Sequence, residues 1–78
     1  MTITVRYFAS LRDAAGVACE ELPTPRSLAE LYDSLRQRHA FALARERLRV
    51  AVDGAFVPWD APVADGAEVV FIPPVSGG

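Results

Sequence analysis

The chemistry open to this chain lies at its end. The last six residues are Pro73-Pro74-Val75-Ser76-Gly77-Gly78, and they follow the apolar run Val69-Val70-Phe71-Ile72. The reactive group would be the terminal carboxyl of Gly78. A carboxyl with a reference pKa of about 3.5 is ionised at neutral pH. Its negative charge makes it a poor electrophile. Activation by ATP to an acyl-adenylate removes that obstacle and calls for a separate enzyme. The adenylate can then accept sulfur, giving a thiocarboxylate, or acylate an amine. Gly77 and Gly78 carry no Cβ, so their backbone can enter a channel too narrow for any side chain. Pro73 and Pro74 have no N–H for a sheet ladder, so they end the strand and stiffen the exit. Six extended residues reach at most ~20 Å. That is enough to place an end group inside another protein. Terminal residues often fray, and a diglycine alone could be filler. Two prolines directly after an apolar strand, then Gly-Gly, make a more specific pattern, and we read it as a functional tail.

No catalytic constellation is expected elsewhere. His39 stands alone near a predicted helix end, where it reads as solvent-exposed or as a partner for the helix dipole. Cys19 has acids beside it, which raise a thiol pKa, so it reads as incidental. Asp53 and Asp65 each precede a glycine and are explained as turn residues. Trp59 reads as a cover for the core edge. The glycines form no phosphate-binding loop. No metal site and no bound cofactor are expected in this chain; ATP would belong to the activating enzyme.

Seventy-eight residues make one small domain, and 51% hydrophobic content allows a compact core of modest stability. The net charge of −2 gives no case for nucleic acid or an anionic membrane. Every basic residue is arginine, and lysine is absent, so the only primary amine is that of Met1. A single cysteine permits no intrachain disulfide and no cysteine-built zinc or iron–sulfur site. The first residues lack a signal-peptide pattern, and no run approaches membrane-spanning length, so a cytoplasmic location is expected.

The elements that would position the tail follow from periodicity. Ile3, Val5 and Tyr7 alternate with Thr2, Thr4 and Arg6, which predicts a strand over 2–8 with Phe8 on its outer face. Ser10 to Gly16 predicts a short helix, capped by Ser10 and closed by Gly16. Val17–Leu22 predicts an edge strand. Ser27 with Glu30 is a capping box, and Leu28, Leu31, Tyr32 and Leu35 form a helical stripe, so a helix is predicted from Leu28 to His39. Phe41 to Leu48 holds a short helix or a loop. Val50-Ala51-Val52, the turn Asp53-Gly54 and Ala55-Phe56-Val57 predict a hairpin. The final strand is Glu68–Ile72, with Val69 and Phe71 on one face and Val70 and Ile72 on the other. If the first and last strands lie side by side in parallel, the helix supplies the crossover. The result is an α+β fold, a β-grasp (ubiquitin-like) mixed sheet with one main helix packed across it. Residues 1–72 would be the domain and 73–78 the extended tail.

The segment Phe8-Ala9-Ser10-Leu11-Arg12-Asp13-Ala14-Ala15-Gly16 resembles the N-terminal motif of the molybdopterin synthase small subunits, the MoaD family. The ending from Asp65 to Gly78 is similar to that family's ending. The likeness spans the chain, with the two end motifs specific and the middle generic. It implies a sulfur carrier whose Gly78 becomes a thiocarboxylate, a non-catalytic subunit of an enzyme complex. An ATP-dependent adenylating enzyme would activate the tail and a sulfur donor would load it. The tail would then enter the large molybdopterin synthase subunit, in a heterotetramer, and give sulfur to cyclic pyranopterin monophosphate for the molybdenum cofactor. The resemblance makes Gly78 and Gly77 the reactive end. It assigns partner contact to Phe8, Phe56 and Ile72, with Pro73, Pro74, Val75 and Ser76 along the tail. The alternatives are a ThiS-like sulfur carrier for thiamine thiazole synthesis, a ubiquitin-like protein modifier, and a plain binding module with an inert tail.

Overall fold

Alternating side chains decide the first strand, and the computed structural model, which describes residues 1–74, places it at Thr2–Tyr7 (β1). Ile3, Val5 and Tyr7 are buried and Thr2 and Arg6 are exposed. The chain continues through α1 (Ala9–Ala15), β2 (Cys19–Pro23), α2 (Leu28–His39), a 3₁₀ turn (Arg45–Arg47), β3 (Arg49–Val52), β4 (Ala55–Val57) and β5 (Glu68–Ile72). The five strands form one sheet in the order β2-β1-β5-β3-β4. β1 and β5 run parallel, with Val5 opposite Val69 and Tyr7 opposite Phe71. All other pairs are antiparallel. This is the β-grasp arrangement expected from the pattern.

The main helix starts where its capping box predicts. The Ser27 hydroxyl accepts a hydrogen bond from the Glu30 N–H at 3.1 Å, satisfying one donor left open by the first helical turn. Leu28, Leu31, Tyr32 and Leu35 are all buried. They pack on the core side of the sheet against Val5, Val69 and Phe71, each 0% exposed. Trp59 covers the core edge, stacked on Phe71 with ring centroids 5.9 Å apart. The helix ends at Ala40, whose φ of 55° is left-handed, a conformation that costs a residue with Cβ roughly 1 kcal/mol. Asp53 (φ 51°) and Gly54 (φ 88°) form the tight hairpin turn between β3 and β4. Asp53 also accepts from the Glu68 N–H at 2.9 Å, fastening the hairpin to β5.

Two expectations need correction. Ser10 is not the cap of α1: Phe8 occupies that position, and no side chain caps it. The chain turns out of β1 one residue earlier than predicted, and the Phe8 carbonyl accepts from the Leu11 N–H. Only the closing Gly16, at φ 78°, behaves as read. His39 is neither solvent-exposed nor alone. Its Nε2 lies 2.8 Å from Glu20 Oε1, at 15% side-chain exposure, and Tyr7 donates its hydroxyl hydrogen to the same oxygen. Sequence could not show this, because β2 and the end of α2 meet only when the helix crosses the sheet.

That cluster has an electrostatic signature. Burial pushes the Glu20 carboxyl up, but hydrogen bonds from Tyr7 and His39 and the charges of His39 and Arg38 outweigh it, leaving the pKa lowered. Burial, with the hydrogen bond and charge of Glu20, raises the Tyr7 phenol. A depressed carboxylate contributes stability fully present above the unfolded pKa of about 4.3 and lost as pH falls through the folded value. Glu20→Gln should therefore cost about 1 kcal/mol at pH 7, and the difference from the parent should shrink below pH 4, as read by urea unfolding at several pH values. Ala40→Gly removes the left-handed penalty and should raise stability by up to about 1 kcal/mol in the same assay; a loss would mean that the Ala40 methyl packs.

Candidate docking face at the base of the tail

One face of the sheet carries α2 and the other does not. The register sets Cys19, Arg6, Val70, Ala51 and Phe56 in a single row across all five strands of the open face. In the next row Arg49 faces Ile72. Period-two alternation puts them there: Val50 and Phe71 point into the core, so Arg49 and Ile72 point away. Phe56 is 63% exposed. The Arg49 guanidinium sits over its ring, 5.7 Å from the centroid, a contact worth about 0.5–1 kcal/mol at an exposed site.

β5 ends at Ile72, and Pro73 and Pro74 follow outside any strand. The exit is flanked by a groove of about 440 Å³ lined by Arg47, Arg49, Phe56, Ile72, Pro73 and Pro74. Four residues singled out from sequence thus converge: Phe56, Ile72, Pro73 and Pro74. Ile72 and Pro73 are half-buried and Pro74 is exposed. Val75, Ser76, Gly77 and Gly78 lie outside the described residues.

Phe8 does not line this groove. It is 49% exposed, as anticipated, but not through strand-face parity. It stands outside β1 as the residue before α1, with extended φ and ψ of −127° and 152°. Because Tyr7 pairs with Phe71, Phe8 leaves the sheet at the end where Ile72 stands.

Arg47 and Arg49 were not singled out from sequence. Arg49 was recoverable, since a residue preceding a core-facing Val50 must face outward. Arg47 was not, because it belongs to the 3₁₀ turn and its direction depends on how that turn docks. Together they put positive charge at the base of the tail in a chain whose net charge is −2. Among the described residues, no three His, Cys, Asp or Glu side chains are grouped as a metal site. No helix there is long and apolar enough to cross a membrane.

The exposure of these aromatics makes a stability prediction. Phe8→Ala should change the unfolding free energy by no more than about 0.5 kcal/mol and Phe56→Ala, which also loses the Arg49 contact, by no more than about 1 kcal/mol, whereas Val69→Ala in the core should cost about 2 kcal/mol or more. Thermal and urea unfolding check this; a large loss at Phe56 would mean that the open face is part of the core.

Comparison with known proteins gives consistent matches. A family model described as the ThiS family matches residues 5–78. The molybdopterin synthase sulfur carrier subunit of Escherichia coli (strain K12) is 38% identical over 80 residues, covering 97% of this chain and 99% of that protein. The protein of the same name from Haemophilus influenzae is 34% identical over 80 residues, with the same coverage. A solved complex of subunits 1 and 2 of molybdopterin-converting factor from Helicobacter pylori contains a chain of the same fold. Its TM-score is 0.72 at 22% identity, with both chains fully covered.

Proposed function

This chain belongs to the ThiS family, and from that membership we propose that it is the sulfur carrier subunit of a molybdopterin synthase. The observation that carries the reading is the groove where β5 releases the tail. An apolar floor of Phe56, Ile72 and Pro73 with two arginines at its side is a surface on which a partner can seat while the following residues reach away. Two relatives covered nearly end to end carry the name of sulfur carrier subunit, and the family match runs through Gly78.

The chemistry follows from the end group. An activating enzyme joins the Gly78 carboxylate to the AMP portion of ATP, and pyrophosphate leaves. Sulfide delivered by a sulfur donor then displaces AMP at the acyl carbon, so a C–S bond forms as the C–O bond to phosphate breaks. The resulting thiocarboxylate is a better nucleophile than the carboxylate. The large synthase subunit takes the loaded tail, and sulfur passes to cyclic pyranopterin monophosphate: a C–S bond forms to the acceptor, water attacks the Gly78 acyl carbon, the acyl C–S bond breaks and the carboxylate returns. The protein contributes positioning. Pro73 and Pro74 direct the exit, the diglycine lets the end group enter a narrow site, and Phe56 and Ile72 anchor the partner from the open sheet face. Phe8, at the same end of the sheet, adds apolar area to that contact. The absence of lysine leaves few amines that the activated end could acylate within its own chain.

Incubation of the protein with its adenylating enzyme, ATP and sulfide should exchange one oxygen of Gly78 for sulfur. Intact-mass spectrometry reads the exchange and peptide mapping locates it. An unchanged mass, or sulfur on Cys19, would sink the carrier reading.

A further inference from the structure

A second groove lies away from the tail, on the helix face of the sheet. It has a volume of about 350 Å³ and runs between the β2–Arg26 segment and one side of α2. Leu22, Leu31 and Leu35 supply its apolar lining, with Arg26 and Arg38 also on its wall. β2 is the outermost strand on this side, so among the described residues one row of its backbone groups has no partner strand. Register shows which. Tyr7 donates to the Ala18 carbonyl and Thr24 to that of Met1, and in an antiparallel pair bonded residues alternate. Glu20 and Leu22 therefore turn their backbone toward β1. Cys19 and Glu21 turn N–H and C=O outward, and Pro23 turns its C=O outward. An open edge beside an apolar groove is the geometry of strand addition, in which backbone bonds hold a peptide and pockets take alternate side chains.

We propose that this edge binds an extended peptide of a partner protein as a sixth strand, with alternating apolar side chains in the groove and an acidic residue at each end. The charge follows from the two arginines. Arg26 lies beyond the C-terminal end of β2. Arg38 is in the last turn of α2, next to His39, which contacts Glu20 near the start of β2. Neither arginine is in an ion pair among the described residues. The acids that share the groove region are Glu30 on its wall and Glu20. The Glu20 oxygen already accepts from Tyr7 and lies against His39. A second copy of this chain is a poor occupant, because symmetric pairing about Glu21 sets two carboxylates opposite each other. The groove and the Phe56 surface are on opposite faces and at opposite edges of the sheet. The peptide can therefore stay bound while the tail is engaged elsewhere.

The test uses fluorescein-labelled Asp-Lys-Ile-Lys-Val-Lys-Asp, whose Ile, Val and terminal Asp share one strand face. Titration into the full chain should give saturable polarisation, with amide shifts in nitrogen-15 spectra confined to residues 19–26 and 30–38. Glu21→Pro removes only an outward N–H, at an edge position that tolerates proline. It should weaken binding at least about tenfold with the thermal midpoint unchanged. Arg38→Glu should weaken it as well, and a peptide with Lys in place of only the Asp that faces residue 38 should recover the loss. Equal binding by Arg38→Glu, by a folded Glu21→Pro, or by a peptide with Ser for Ile and Val would overturn the proposal. So would shifts at Phe56 and Ile72, no saturation, or a dimer of the chain that Glu21→Pro dissolves.

Discussion

The parallel pairing of β1 with β5 is the constraint on which the remaining structure depends. Parallel neighbours cannot be joined by a tight turn, so everything between Tyr7 and Glu68 is crossover. α2 supplies the part of it that covers the core. The pair sits at the centre of the sheet, and its inward residues are deeply buried: Val5, Val69 and Phe71 at 0% exposure and Tyr7 at 2%. β2 and the β3–β4 hairpin are then added on either side, where each needs only one partner strand.

This arrangement makes the end of β5 special. A central strand is held on both sides along its length, yet its last residue must leave the sheet. Pro73 and Pro74 make the departure abrupt, because neither can continue the ladder. The residues around the departure point belong to four separate segments: the 3₁₀ turn, β3, β4 and β5 itself. Strand register fixes Arg49, Phe56 and Ile72 around that point, and the docking of the 3₁₀ turn adds Arg47.

The sheet uses its two faces differently. The helix face is closed by α2 and by an aromatic layer in which Tyr32 meets Phe71 at 5.2 Å and Phe41 at 5.9 Å. Tyr32 keeps its hydroxyl satisfied by donating to the Leu43 carbonyl at 2.7 Å. Among the described residues, the opposite face has no such cover. Arg6 and Glu68 pair across it at 2.7 Å, while Val70 and Ile72 remain half-buried. An apolar strip flanked by charges, left uncovered on a small domain, is what a docking partner would bury.

The sequence by itself determined the elements and their inward faces. Alternation in Ile3-Val5-Tyr7, the Ser27–Glu30 capping box, Asp53-Gly54 and the proline pair act over a few residues, and local physics is readable from local pattern. It also made the tail legible, because glycine and proline carry their conformational consequences with them. Only the tertiary structure decided what meets across long separations. Glu20 and His39 are paired because α2 crosses behind β2. Arg47 reaches the tail base because the 3₁₀ turn docks beside β3. Phe8 is exposed because the chain turns into α1 before the strand reaches it. Each of these depends on where one element settles against another, and that balance of packing over the whole core is not written in any single stretch of residues.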